Sequence, residues 1–407
     1  MVDYERLFEK IQDARDVLRD IARVTPLDRS TTFSRMTGGE IYLKLENLQK
    51  TGSFKVRGAA YAMSQLSDEE KRAGVIAASA GNHAQGVAYA ATRLGIKSTI
   101  VMPVFSPVAK IHATRGYGAN VVLHGTVFDE ALAKAREIAE ETGATFIHPF
   151  NNEDVIAGQG TIGLEIMEAL PDVDVIAVPV GGGGLVSGIA IAAKHIRPEV
   201  EVYGVEAASA AAMRESLATG HLVKAERLDT ICDGIAVKQP GELTFETAKD
   251  LLSGVVTVEE LEVTRTLFLL LERAKSVVEP AGAVGLCAFQ YGKIDVEGKK
   301  AVAVLSGGNI DMSLMGRVVA KELFRLGRSV RLRGTILDRV GVLNRIIGVV
   351  SASGVNVIEI IHDRADPDIA PNKAELTMVL EIPEQSALDA LLDTLREHGF
   401  QFEVYED

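Results

Sequence analysis

Lys55 lies in the run Ser53-Phe54-Lys55-Val56-Arg57-Gly58-Ala59, after the apolar segment Ile41-Tyr42-Leu43-Lys44-Leu45 and a turn at Thr51-Gly52. At the start of a helix, its ammonium meets the positive end of the helix dipole. Apolar neighbours also strip its hydration. Both effects favour the neutral amine, which is a base and a nucleophile towards aldehydes. Taken alone, the plainer reading is a surface lysine whose stem lies along apolar surface. The turns further along the chain reverse that reading.

The run Gly181-Gly182-Gly183-Gly184-Leu185 follows the apolar segment 173–180 and precedes a helical pattern from Leu185 to about Ile196. Four residues without side chains let backbone N–H groups close on an anion, and the helix dipole adds to the attraction. The pattern is not G-x-G-x-x-G and lacks the Lys-Ser/Thr of a nucleotide P-loop, so a single phosphate suits it better than a dinucleotide. Ser79-Ala80-Gly81-Asn82-His83-Ala84-Gln85-Gly86 follows the short strand Val75–Ala78 and opens another helix. Its small residues allow close backbone approach, and Asn82 offers a donor and an acceptor. Ser306-Gly307-Gly308-Asn309 follows strand 301–305, placing Ser306 at the carboxyl end of a strand, where open α/β sheets bind ligands.

These four segments, in this order, resemble the fold-type-II pyridoxal-phosphate enzymes, and among them the threonine dehydratases (threonine ammonia-lyases). Gly158-Gln159-Gly160-Thr161-Ile162-Gly163-Leu164-Glu165 and Glu279-Pro280-Ala281-Gly282-Ala283 extend the likeness, which runs from about Arg6 to Leu323. The resemblance implies a role for each matching position. Lys55 forms the Schiff base with pyridoxal 5'-phosphate and is the base at the substrate Cα. Phe54 packs on the cofactor, and Asn82 hydrogen-bonds its ring hydroxyl. Gly181, Gly182, Gly183, Gly184 and Leu185 hold its phosphate, and Ser306 faces its ring nitrogen. Ser79, Ala80, Gly81, Asn82 and His83 receive the substrate carboxylate at a helix N-terminus, which the electrostatics favour independently. Glu279 and Gly234 lie near the cofactor in that family. A hydroxyl at Ser306 does not keep the ring nitrogen charged as a carboxylate would, which favours elimination over a long-lived carbanion.

Two departures matter. Serine racemases of this fold carry a second serine where this chain has Ala80; that serine supplies a proton on the face opposite the lysine, so racemisation is not expected here. The same relatives bind a divalent cation through a glutamate, a carbonyl and an aspartate. This chain keeps Glu206 and Ala210 but has Ala212 in the aspartate position, and hard cations prefer several anionic oxygens. No tight divalent metal site is expected.

Composition narrows the class. Forty-three basic against 56 acidic residues give a net charge of −13, which argues against nucleic acid or an acidic membrane as partner. Cys232 and Cys287 are too few for a disulfide scaffold and lack metal-ligand spacing. The charged start Met1-Val2-Asp3-Tyr4-Glu5-Arg6 does not read as a signal peptide, and no apolar run reaches the ~18 residues of a membrane span. Cytoplasmic localisation follows as the expectation.

The elements that must position these residues alternate between strand and helix, as parallel α/β sheets require. Strands are expected at 75–78, 98–102, 120–124, 173–180, 201–206 and 301–305, and helices over 82–94, 127–141, 156–169 and 259–274. The resemblance implies two open parallel-sheet α/β domains, the smaller (about 50–150) inserted in the larger, with the cofactor between them and a catalytic part spanning 1–324. From 325 to 407 the pattern becomes βαββαβ, the ferredoxin-like order. Its turn Asp338-Arg339-Val340-Gly341-Val342-Leu343 and the segment Gly354-Val355-Asn356-Val357 look like an ACT domain, a regulatory amino-acid-binding module. Proline usually fills the place of Val340.

The expected activity is β-elimination of water from L-threonine, giving 2-oxobutanoate and ammonia, with L-serine as a further substrate. Feedback by isoleucine or valine through the C-terminal module, and a homodimer or homotetramer, complete the expectation. An L-serine dehydratase of the same fold and a non-catalytic amino-acid sensor built around the ACT-like module are the alternatives. An intact Lys55, Asn82, tetraglycine and Ser306 argue against the sensor.

Overall fold

The chain's computed structural model describes residues 2–226 and 228–405. It divides into two compact units, Met1–Asp311 and Met312–Asp407. This break falls earlier than the one expected near 324, because the helix Met312–Arg325 packs on the first strand of the second unit.

The first unit holds two open sheets. The larger runs in the order Leu27–Arg29, Glu40–Lys44, Lys300–Val304, Val175–Pro179, Glu201–Ala207, Gly254–Val258. Its first strand is antiparallel to its neighbour and the others are parallel. The smaller, Asn120–Leu123, Ser98–Met102, Val75–Ala78, Thr145–Phe146, is parallel throughout. In sequence, the smaller sheet falls entirely between strands Glu40–Lys44 and Val175–Pro179 of the larger one. Helices cover both faces, so the central strands Val75–Ala78 and Val175–Pro179 are buried along their whole length. That double burial is why they read as continuous apolar runs rather than alternating ones.

Element bounds agree with the sequence reading to within a few residues. The helix Pro280–Gln290 escaped it, because its small apolar residues are buried all round and show no amphipathic stripe. Among the described residues, no helix is long and apolar enough to cross a membrane.

The second unit adds to Met312–Arg325 the expected βαββαβ series. Its antiparallel sheet has the order Asn356–Asp363, Lys373–Glu381, Ser329–Leu337, Glu403–Val404. Helices Val342–Ala352 and Gln385–Glu397 close its core around Leu332, Ile346, Leu376 and Leu391. The last strand is shorter than expected from Phe400–Tyr405. Phe400 donates its N–H to Leu395 O and buries its ring, so it ends the helix rather than starting a strand.

Candidate active site

The helix Lys55–Ser64 begins at Lys55 and packs against helices Asn82–Arg93 and Glu153–Ala169. The second contact accounts for Gly158, and the contact of the same helix with Gly184–Ile196 for Gly160. A Cβ on Gly158 would lie 2.6 Å from Arg57 O, and one on Gly188 would lie 2.5 Å from Gly160 N. Only glycine lets helix Glu153–Ala169 approach helices Lys55–Ser64 and Gly184–Ile196 this closely. Gln159 seals the contact by accepting the Gly58 N–H at 3.2 Å.

Beneath the helix, Arg57 is buried in a charged cluster. Its guanidinium donates to Glu46 Oε2 at 2.9 Å and Oε1 at 2.7 Å, to Glu165 Oε1 at 2.6 Å and to Thr161 Oγ1 at 3.1 Å. Lys44 donates to Glu165 as well. Two cations thus face two carboxylates with their hydrogen bonds filled, the arrangement a buried ion cluster requires. Burial pushes the Glu46 carboxyl up, but the Arg57 guanidinium outweighs it and leaves the carboxyl low.

The turn before Lys55 is stitched to the Ser306 turn. Phe54 N donates to Ser306 O at 3.1 Å, and Gly308 N donates to Gly52 O at 2.8 Å. Ser53 and Gly307 form an isolated bridge. Segments about 250 residues apart in sequence therefore share one wall of a cleft.

The tetraglycine caps strand Val175–Pro179 and leads into helix Gly184–Ile196. Gly183 has φ +95°, which side chains rarely adopt, and a Cβ there would lie 2.7 Å from Thr244 Cβ. A Cβ on Gly182 would sit 2.2 Å from the Phe150 ring. Thr244 Oγ1 donates to Gly182 O at 2.6 Å and holds the loop from behind. The N–H groups of Gly181 through Leu185 donate to no acceptor among the described residues. The same holds for Asn82, His83 and Ala84 at the start of helix Asn82–Arg93. Two sets of unsatisfied amides, each at a helix N-terminus, therefore face one space.

That space is a cavity of about 880 Å³. Phe54, Lys55, Ser79, Ala80, Gly81, Asn82, His83, Gly181, Gly182, Gly183, Gly184, Leu185 and Ser306 all line it, as do Gly234 and Glu279. Lys55 Nζ donates to Pro149 O at 2.9 Å and lies 5.1 Å from the centre of the Phe54 ring. Burial lowers its pKa to about 8, against a smaller opposing pull from the Glu279 carboxylate. Glu279 is raised to about 7, first by burial and then by Asp233. Burial and the Lys55 charge bring His83 to about 3 and His148 to about 4, so both rings are neutral at ordinary pH. His83 Nε2 lies 2.9 Å from Ile147 O; a carbonyl only accepts, so this nitrogen carries the proton.

Several contributors carry no sequence signal of their own. Phe150, Thr244 and Pro149 sit in segments without a motif and matter only through what they back. Glu206, considered above as a cation ligand, is buried and accepts the N–H groups of Met213 and Arg214, each at 2.9 Å. Its oxygens thereby cap helix Ala212–Thr219.

A family model described as pyridoxal-phosphate dependent enzyme matches residues 18–307. The chain is 48% identical over 396 residues to the L-threonine ammonia-lyase of Thermotoga maritima, a match covering 97% of this chain and 98% of that protein. Among solved structures, the processed form of threonine deaminase isoform 2 from Solanum lycopersicum is similar with a TM-score of 0.75 and 41% identity, over 78% of this chain and 94% of that one. Maize serine racemase gives a TM-score of 0.72 and 34% identity, over 79% and 98%.

The residues present fit pyridoxal phosphate. Its aldehyde needs an amine with a low pKa, and its phosphate needs a side-chain-free cradle of donors. Lys55 and the unsatisfied amides of Gly181–Leu185 offer both in one cavity. With that fit, and with the family model matched over residues 18–307, most of this chain, the chain belongs to the pyridoxal-phosphate dependent enzymes.

Proposed function

We propose that the chain is an L-threonine ammonia-lyase that releases 2-oxobutanoate and ammonia from L-threonine and also accepts L-serine. The observation that carries this reading is the convergence on one cavity of a low-pKa lysine and two helix N-termini with unsatisfied amides. The similarity to the ammonia-lyase and deaminase named above supports the same reading.

The bound cofactor supplies an electron sink that makes an amino acid's Cα–H acidic. Lys55 Nζ would hold its aldehyde and, when released as the neutral amine that burial favours, would take the Cα proton. The amides of Gly181 through Leu185 hold the phosphate, and Phe54 packs on the ring. Asn82 donates to the ring hydroxyl oxygen, and Ser306 meets the ring nitrogen with a hydroxyl that has no partner among the described residues. The substrate carboxylate docks on the amides that open helix Asn82–Arg93, in the loop from Ser79 to His83. Neutral His83 and His148 add no charge that would hold it elsewhere. At Ala80 a methyl group stands where the opposite-face proton donor of a racemase would be, so the substrate Cα face away from Lys55 would meet no acid from that position.

The unit Met312–Asp407 reads as an ACT-type regulatory module. A cavity of about 320 Å³ lies beside the turn Asp338–Leu343 and suits isoleucine or valine. His362 and Arg364, rather than Asn356, border it; Asn356 instead donates to Glu381. Strand Asn356–Asp363 is an edge strand with Ile358, Ile360 and Ile361 exposed, which supports at least a dimer. The free buried thiols Cys232 and Cys287 suit a reducing compartment such as the cytoplasm.

One assay tests the whole reading: 2-oxo acid formation from L-threonine and L-serine, with and without isoleucine and valine, alongside calorimetry of each effector. No 2-oxo acid from either substrate refutes the lyase. Activity and heats that ignore both effectors leave a lyase with a structural C-terminal unit.

A further inference from the structure

Asn309 ends the Ser306 turn, and its role is set by hydrogen-bond direction. Its Nδ2 lies 2.8 Å from Thr51 O and 2.8 Å from Asn82 Oδ1. A backbone carbonyl only accepts, so the Asn309 atom facing Thr51 must be nitrogen. That nitrogen uses its second hydrogen on Asn82, which must therefore turn its oxygen towards Asn309. The Asn82 nitrogen then points to Glu279 Oε1, 2.6 Å away. One hydrogen on Asn82 Nδ2 is left over, on a residue that lines the cavity. Gly307 makes room for this relay, since a Cβ there would lie 2.3 Å from Glu279 Oε1 and 3.2 Å from Asn82 Nδ2. The relay has one direction, and the Thr51 carbonyl sets it.

We propose that Asn309 is a positioning residue: it orients the Asn82 amide so that Asn82 meets the bound pyridoxal phosphate as a hydrogen-bond donor. It also ties the helix that opens at Asn82, which follows the smaller sheet's strand Val75–Ala78, to the turn that ends the larger sheet's central strand Lys300–Val304. The inference rests on the placement of Asn82 against the cofactor proposed above, and not on threonine being the substrate.

The test is the dissociation constant of pyridoxal phosphate from the apoprotein, measured for Asn309→Asp and Asn309→Ala with Asn82 intact and in an Asn82→Ala background. Apoprotein melting is followed in parallel. Asn309→Asp sets a carboxylate against two oxygens; when the Asn82 amide rotates to give it an N–H, the Asn82 oxygen turns towards Glu279 Oε1 and the cavity, and both the Glu279 bond and the donor to the cofactor are lost. The dissociation constant should then rise about tenfold or more, the scale of one good hydrogen bond lost and one repulsion gained. Asn309→Ala, which merely frees the amide, should cost less. In the Asn82→Ala background Asn309→Asp should add nothing. Equal losses from the two Asn309 substitutions, or an undiminished Asn309→Asp loss without Asn82, would reduce Asn309 to a turn-holding residue and overturn the proposal. An Asn82→Ala protein that binds cofactor normally would overturn it together with the placement of Asn82, whatever the substrate is. Should Asn309→Asp not fold, Asn309→Ala against Asn82→Ala decides: non-additive losses support the relay and additive ones refute it.

Discussion

Replacing Gly182 by alanine tests whether the tetraglycine holds the cofactor through shape as well as through its amides. The added Cβ would stand 2.2 Å from the Cδ1 and Cγ atoms of Phe150. Ordinary contact begins near 3.4 Å, so ring or loop must yield by 3.4 − 2.2 = 1.2 Å. Phe150 is held in place, because its ring packs edge-to-face on His148 with centroids 4.7 Å apart and its N–H donates to His148 Nδ1 at 3.2 Å. The loop therefore gives way, and its amides lose their common focus. Overpacking of this kind costs about 1–3 kcal/mol, which corresponds to a cofactor affinity lower by roughly 5- to 150-fold. The assay is titration of dialysed apoprotein with pyridoxal phosphate, followed by its visible absorption band, with apoprotein melting as the control for folding. Phe150→Ala removes the obstacle, so adding Gly182→Ala to it should cost little further affinity. If Gly182→Ala binds the cofactor like the parent, or costs as much with Phe150 absent as with it present, the cradle is not set by this contact.

Further outcomes follow from the site's residues. In the apoprotein, Lys55 should react with a carbonyl reagent with a midpoint near pH 8, because burial disfavours its ammonium more than the Glu279 carboxylate favours it. Glu279→Gln should move that midpoint lower still, and a midpoint at the ordinary lysine value of 10.5 refutes the assignment. Borohydride should fix the cofactor on Lys55 and on no residue of a Lys55→Ala protein. Arg57→Met should cost about 3–5 kcal/mol at neutral pH in urea unfolding, because the buried Glu46 loses its ion-pair partner and Glu165 keeps only Lys44. In the parent, the lowered Glu46 pKa contributes stability above its unfolded value that is lost as pH falls through the folded one. In the variant, burial raises that pKa instead, so the deficit should shrink as pH falls below neutral; a deficit independent of pH refutes the cluster's role. The parent enzyme should convert L-serine to pyruvate with almost no D-serine, whereas Ala80→Ser should form D-serine measurably by chiral chromatography. D-serine accumulating as fast as pyruvate in the parent would mean that another group serves that face.

Much of this protein is legible in its sequence because glycine, lysine and strand-end serine are local signals. Lys55, Asn82, Gly181–Gly184 and Ser306 each stand in a turn whose chemistry depends on neighbours a few residues away, and all four turns border one cavity. The parallel α/β class and the C-terminal βαββαβ series follow from periodicity, since apolar repeats of 2 and 3.6 residues are also local properties. What the sequence alone did not decide are relations between distant segments. That Glu279 titrates near 7 depends on burial and on Asp233 nearby. That Gly158 and Gly160 are packing glycines depends on helices Lys55–Ser64 and Gly184–Ile196 meeting them. The direction of the Thr51–Asn309–Asn82–Glu279 relay exists only once four stretches of chain are brought within hydrogen-bond reach. The physical reason is range. Backbone conformation and helix dipoles act over a turn or two of chain, whereas desolvation, close packing and hydrogen-bond direction are set by whatever the fold places within a few ångströms, however far away in sequence it lies.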